Sequence, residues 1–109
     1  MASIGIKLDP SKMNNPDLDL RYIIPNKIEE LTKGAVEDDG YDYSSDGTNS
    51  IIIFLSCENP KKYVNEVLNI LRNEDFLNNN IYEVGVVAID NGDGFKVIHP
   101  SNYEGEFDL

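Results

Sequence analysis

The sequence predicts a single α+β domain over residues 1–109, a mixed β-sheet of five or six strands with two helices packed on it. Three observations carry that expectation. The runs Ile51-Ile52-Ile53-Phe54-Leu55 and Val84-Gly85-Val86-Val87-Ala88-Ile89 are apolar on both faces, the pattern of inner strands. Between them Val64, Val67, Leu68 and Leu71 repeat at i, i+3, i+4 and i+7, one stripe of an amphipathic helix. A chain of 109 residues with 40% apolar content has enough surface to bury for one core without staples.

The elements follow in order. Ile4, Ile6 and Leu8 alternate with Gly5 and Lys7, a strand with one buried face, and Asp9-Pro10 ends it. Lys12 to Asp17 is a polar connection. Leu18, Leu20, Tyr22 and Ile24 alternate with Asp17, Asp19 and Arg21, which predicts an extended segment; its rival is a short helix opened by Asn15 and Pro16. Pro25 suits the first turn of a helix over about 25–33, with Ile28 and Leu31 as its stripe and Gly34 as its left-handed stop.

Residues 35–57 read as a hairpin with arms Ala35–Tyr43 and Ser50–Cys57 around Asp46-Gly47. The first arm is acidic and predicts an edge, the second an inner strand. Asn59 as N-cap and Pro60 at the first position open the helix expected over about 60–73. Asn78-Asn79-Asn80 closes that region. A strand over Val84–Ile89 then turns through Asn91-Gly92-Asp93-Gly94 into Phe95–Ile98. The order strand, helix, strand over 51–89 predicts a right-handed crossover between parallel strands. Ser101–Leu109 is an acidic tail carrying Tyr103 and Phe107.

Charge narrows the function. The chain holds 20 acidic and 9 basic residues, net -11, and the excess is uneven. Residues 1–33 hold five acids and five bases, which cancel, so everything beyond Lys33 carries the surplus. A field of that sign draws basic partners and disfavours nucleic acid and anionic membrane. The single cysteine, Cys57, forbids an internal disulfide and suits a reducing cytoplasm. No basic leader followed by an apolar stretch and no run of membrane-spanning length is present, so a cytoplasmic protein is expected.

Catalytic chemistry finds little footing, and no catalytic residue, cofactor or metal is expected. The lone histidine, His99, and Cys57 would form a nucleophilic pair only if the fold brought two strand ends together. Asp90-Asn91-Gly92-Asp93-Gly94 has some ligands of a calcium loop but lacks the glutamate at its twelfth position, where Ser101 stands; a hairpin turn is the better reading. Asp38, Asp39 and Asp42 would hold a hard cation only weakly. One Cys and one His exclude a structural zinc site, and no glycine-rich phosphate loop precedes a helix.

The segment that stands out is Glu37-Asp38-Asp39-Gly40-Tyr41-Asp42-Tyr43-Ser44-Ser45-Asp46. Residues 34–60 hold six acids and no base. In an extended arm Tyr41 and Tyr43 share one side and Asp42 takes the other. Tyrosines anchor interfaces, and an acidic rim steers a basic partner onto them. The candidate partner-binding residues are therefore Glu37, Asp38, Asp39, Tyr41, Asp42, Tyr43 and Asp46. The plainer reading is a solvated edge strand whose tyrosines cover the sheet.

The blocks Gly5-Ile6-Lys7-Leu8-Asp9-Pro10, Asn15-Pro16-Asp17-Leu18-Asp19-Leu20-Arg21-Tyr22 and Asp38-Asp39-Gly40-Tyr41-Asp42-Tyr43 look like those of a family of small bacterial proteins of no assigned activity. In size, acidity and α/β make-up the chain resembles immunity proteins of bacterial toxin systems. That resemblance implies a non-enzymatic inhibitor acting inside the producing cell, neutralising a basic protein partner such as a toxin nuclease domain. The alternative is a small-ligand-binding regulatory domain or an enzyme, which would show a deep apolar pocket with converging polar groups.

Overall fold

Five strands form one sheet: β1 (Ser3–Leu8), β2 (Glu37–Tyr43), β3 (Ile51–Ser56), β4 (Gly85–Asp90) and β5 (Phe95–His99), ordered β2-β3-β1-β4-β5. Three helices accompany them: α1 (Leu20–Leu31), α2 (Pro60–Asn73) and the single turn α3 (Ile81–Val84). The computed structural model describes residues 3–13, 19–43, 50–76, 79–90, 92 and 94–100. Residues 44–49, where the sequence predicts the hairpin turn and which include Asp46, and residues 101–109 lie outside the described residues.

The α+β class, the five strands and the two packed helices agree with the sequence reading, but the sheet is antiparallel in every pairing rather than mixed. The physical reason is β1. It lies between β3 and β4 and runs opposite to both, with Ile6 facing Ile53 on one side and Val87 on the other. The strands at the two ends of the crossover are therefore parallel to each other, as expected, yet neither touches the other.

The pleat sorts the side chains. Ile4, Ile6 and Leu8 of β1, Ile51, Ile53 and Leu55 of β3, and Val87 and Ile89 of β4 face the helices and join one core with Leu20, Ile24 and Ile28 of α1 and Val64, Val67 and Leu71 of α2. Each such side chain contributes about 1.5–3 kcal/mol on burial. Ile52 and Ala88, on the opposite face, are also fully buried. On that face the rings of Phe54 and Phe95 come within 6.2 Å of each other.

The helix α2 matches its expected bounds. The Asn59 side chain accepts a hydrogen bond from the Lys62 amide, and Pro60 occupies the first turn where its missing N–H costs nothing. The extended reading of residues 18–24 is overturned for its described part: Leu20 to Ile24 is the first half of α1. Leu20, Ile24 and Ile28 form an i, i+4, i+8 stripe, all fully buried, while Tyr22 is exposed. Pro25 sits inside the helix rather than at its start, so the helix begins five residues before the proline.

The end of α1 fixes where β2 begins. Gly34 N donates to Glu29 O, and Lys33 N to Glu30 O, with both residues at positive φ. This is the Schellman arrangement, with Lys33 in the left-handed position and Gly34 following it. The buried Thr32 hydroxyl donates to Ile28 O and accepts from Val36 N, tying the helix end to the strand. No helix among the described residues is long and apolar enough to cross a membrane.

Candidate functional site

The edge strand β2 carries six of the seven candidate residues, and all seven of its positions are exposed. It pairs on one side only, with β3, as the acidic composition predicts. Tyr41 faces Ile53 and Tyr43 faces Ile51, so both rings rise from the helix-bearing side of the sheet. Asp42 faces Ile52 and points to the other side.

A bulge separates Asp38, opposite Leu55, from Tyr41, opposite Ile53. Gly40 sits in it at φ 92, a conformation that side chains disfavour. The strand also hydrogen-bonds to itself. Gly40 N donates to Asp38 Oδ1 at 2.9 Å and Tyr43 N to Asp42 Oδ1 at 2.8 Å. Those two amides are thereby closed to another strand, and the bulge bends the edge, so β2 is poorly suited to strand addition. What it offers is side chains.

The structure adds two residues that the sequence reading did not place here. Tyr22 and Arg21, in the first turn of α1, lie against the tyrosines of β2. Tyr22 meets Tyr41 edge-on, and Tyr41 meets Tyr43 in the same way at 6.0 Å. The Arg21 guanidinium lies 4.6 Å from the Tyr22 ring centroid and 5.1 Å from that of Tyr41. Hydrogen bonding from Arg21 holds the Tyr22 phenol below its usual range, and the same bond raises Arg21. The three rings remain available, with Tyr22 47%, Tyr41 39% and Tyr43 46% exposed. One signal could have found Tyr22: on a helical wheel through Leu20, Ile24 and Ile28 it falls off the buried stripe.

A cleft of about 360 Å³ opens at the other end of β2, lined by Gly34, Ala35, Glu37, Ser56, Cys57, Glu58 and Tyr63. It gathers the α1–β2 turn, the first residue of β2 and the β3–α2 junction. Cys57 is buried in its wall, and that burial pushes its thiol up. A raised thiol is a poor nucleophile at neutral pH.

His99 is elsewhere. Register puts Ser56, the neighbour of Cys57, level with Ser3 and Asp90 at one end of the sheet, and His99 opposite Val87 toward the other. Three strand spacings, about 14 Å, also separate β3 from β5. The Cys57–His99 pair is not formed. The His99 ring stacks on Tyr82 at 4.2 Å, and its Nε2 lies 2.7 Å from Tyr82 O. A carbonyl only accepts, so Nε2 carries the proton there.

In the loop after β4, Asp90 Oδ1 accepts from Gly92 N and Gly94 N, the contacts of a hairpin turn between β4 and β5. Asn91 and Asp93 lie outside the described residues. Among the described residues no three histidine, cysteine or carboxylate groups gather as metal ligands would. Compared with known protein families, with curated proteins and with solved structures, the chain finds no match.

Proposed function

We propose that this chain is a non-enzymatic, cytoplasmic binding protein that neutralises a basic protein partner, in the manner of an immunity protein against a bacterial toxin domain. One observation carries the reading. Three exposed tyrosines from two elements share a face at the sheet edge, and the strand that holds two of them carries Glu37, Asp38, Asp39 and Asp42. Rigid aromatic rings add contact area with few rotors to freeze, and surrounding carboxylates raise the rate of encounter with a basic surface. No cofactor, metal or catalytic residue takes part in this function.

The test is co-purification with the protein encoded beside this chain, followed by assay of that protein's activity. The expected result is a complex with a basic domain, loss of that domain's activity, and a weaker complex when Asp39 and Asp42 are both changed to Lys. A neighbouring product that forms no complex, or one whose complex ignores the double reversal, overturns the proposal.

A further inference from the structure

We infer that the helix-free face of the sheet is the docking surface for this chain's own residues 101–109, their apolar side chains over Ile52 and their carboxylates beside Lys7. The burial of that face carries the inference. Strand pairing places Asp42, Ile52, Lys7 and Val86 in one row across it, and Phe54, Gly5, Ala88 and Val97 in the next. In the second row the small residues Gly5 and Ala88 lie between Phe54 and β5, and the rings of Phe54 and Phe95 meet at 6.2 Å, which accounts for their burial. The first row has no such cover among the described residues, because α1 and α2 pack on the other face. Yet Ile52 is 0% exposed and Lys7 only 8%. A side chain standing from an open sheet is flanked by its neighbours but keeps its tip in water. Lysine is almost never buried unless paired. Lys7 has a partner, and its cross-strand neighbours, Ile52 and Val86, are both apolar.

Sequence and topology select the occupant. Tyr103, Gly105, Phe107 and Leu109 alternate with Glu104, Glu106 and Asp108, the pattern of an extended segment with one apolar and one acidic side. His99 pairs with Val87, so the chain leaves β5 level with Val86, at the end of the row to be covered. Ile52 lies three strand spacings from β5, about 14 Å, and the segment extended reaches about 30 Å. Its three carboxylates complement the Lys7 ammonium. Other stretches fit less well. Residues 44–49 hold no large apolar side chain, and residues 14–18 join Met13, packed against the helix-side core, to the start of α1. Tyr41 and Tyr43 rise on the opposite side of the sheet, so this docking leaves them clear and stands apart from the function proposed above.

The experiment is NMR on the whole chain with ¹³C-labelled isoleucine methyl groups. The Ile52 methyl is expected to show nuclear Overhauser contacts to the ring protons of Tyr103 or Phe107, and to resist broadening by a soluble gadolinium chelate as well as the helix-side Ile6 methyl does. Changing Tyr103→Ala and Phe107→Ala together should raise the broadening of Ile52 severalfold and leave Ile6 unchanged. Neutralising the acids through Glu104→Gln, Glu106→Gln and Asp108→Asn should speed exchange of the Lys7 ammonium protons with water. Contacts from Ile52 to residues 14–18 or 44–49 in place of 101–109 overturn the inference, as does an Ile52 methyl open to the chelate in the unaltered chain. Equal broadening of Ile52 with and without the two rings also overturns it. Unchanged Lys7 exchange in the neutralised variant overturns the assignment of the carboxylates to Lys7. The contacts in the unaltered chain decide the matter even if a variant fails to fold.

Discussion

Tyr22 of α1 and Tyr41 of β2 meet edge to face, their ring centroids 6.1 Å apart and their planes at 85°. The contact joins two segments that are separated in sequence by the rest of α1 and its cap. It also explains why an exposed pair of tyrosines on an edge strand holds a definite arrangement. Arg21 lies over both rings, so its charge is turned inward onto the aromatics. The surface that remains is tyrosine and carboxylate.

Arg21 should therefore control the titration of Tyr22. The Arg21 hydrogen bond lowers the Tyr22 phenol from its usual value of about 10. In Arg21→Gln the Tyr22 midpoint should move back up, read from tyrosine ring carbon shifts as pH rises. The sign for stability follows from linkage. Between the lowered folded value and the unfolded value, the unfolded chain holds more protons on Tyr22, so this contribution grows as pH rises through that window. The wild-type protein should gain on Arg21→Gln in denaturation experiments as pH approaches 10. An unchanged Tyr22 midpoint in the variant would show that the guanidinium does not engage the phenol.

The register of α1 gives a stability test. Ile24→Ala removes a fully buried side chain from the helix–sheet core and should cost about 2–5 kcal/mol in urea unfolding. Tyr22→Ala, at an exposed position, should cost about 1 kcal/mol or less. An extended segment with Tyr22 and Ile24 on one buried face would instead make both changes expensive.

That same segment shows what the sequence could and could not convey. Strands β3 and β4 and helix α2 were legible because each is a contiguous run whose own pattern decides it. The alternation of Leu20, Tyr22 and Ile24 fits a period of 2 locally, and only the continuation to Ile28 through Pro25 reveals the period of 3.6. A proline suits the first turn of a helix, yet Pro25 stands five residues inside α1. The position of β1 between β3 and β4 was illegible for a different reason: pairing partners far apart in sequence leave no local pattern. The candidate site divides in the same way. Glu37 to Tyr43 is one strand and could be seen as a unit. Tyr22 joins it only through the packing of α1, and the cleft needs three separate segments, so neither had a signature in any one stretch.

Gly40 sets the shape of the acidic arm. Its φ of 92 belongs to the bulge, and a Cβ there would meet nothing within 4 Å. The cost of Gly40→Ala should thus be conformational, about 1–2 kcal/mol, without any clash in the core. If the residue relaxes instead, the bulge is lost and the Gly40-to-Asp38 hydrogen bond with it. Amide shifts of Asp38, Asp39 and Tyr41 would report that change, whereas α2 shifts should stay in place. A neutral Gly40→Ala would mean that the arm does not require this bend.

Binding kinetics separate the roles of the acids and the rings. If the carboxylates steer a basic partner, association should fall steeply between low and physiological salt while dissociation changes little. Asp39→Lys is the cleanest probe, because the Asp39 carboxylate makes no hydrogen bond or ion pair among the described residues; it should slow association and leave folding stability nearly unchanged. Asp42→Lys removes in addition the acceptor for Tyr43 N, so a modest loss of stability should accompany its slower association. The rings should behave in the opposite way. Tyr41 touches both other tyrosines and lies at the centre of the row, so Tyr41→Ala should speed dissociation and cost about 2 kcal/mol or more of affinity. Tyr43 has one ring neighbour and stands at the end of the row, so its loss should cost less. An association rate indifferent to salt and to Asp39→Lys, together with a dissociation rate indifferent to Tyr41→Ala, would place the contact on another face of the molecule.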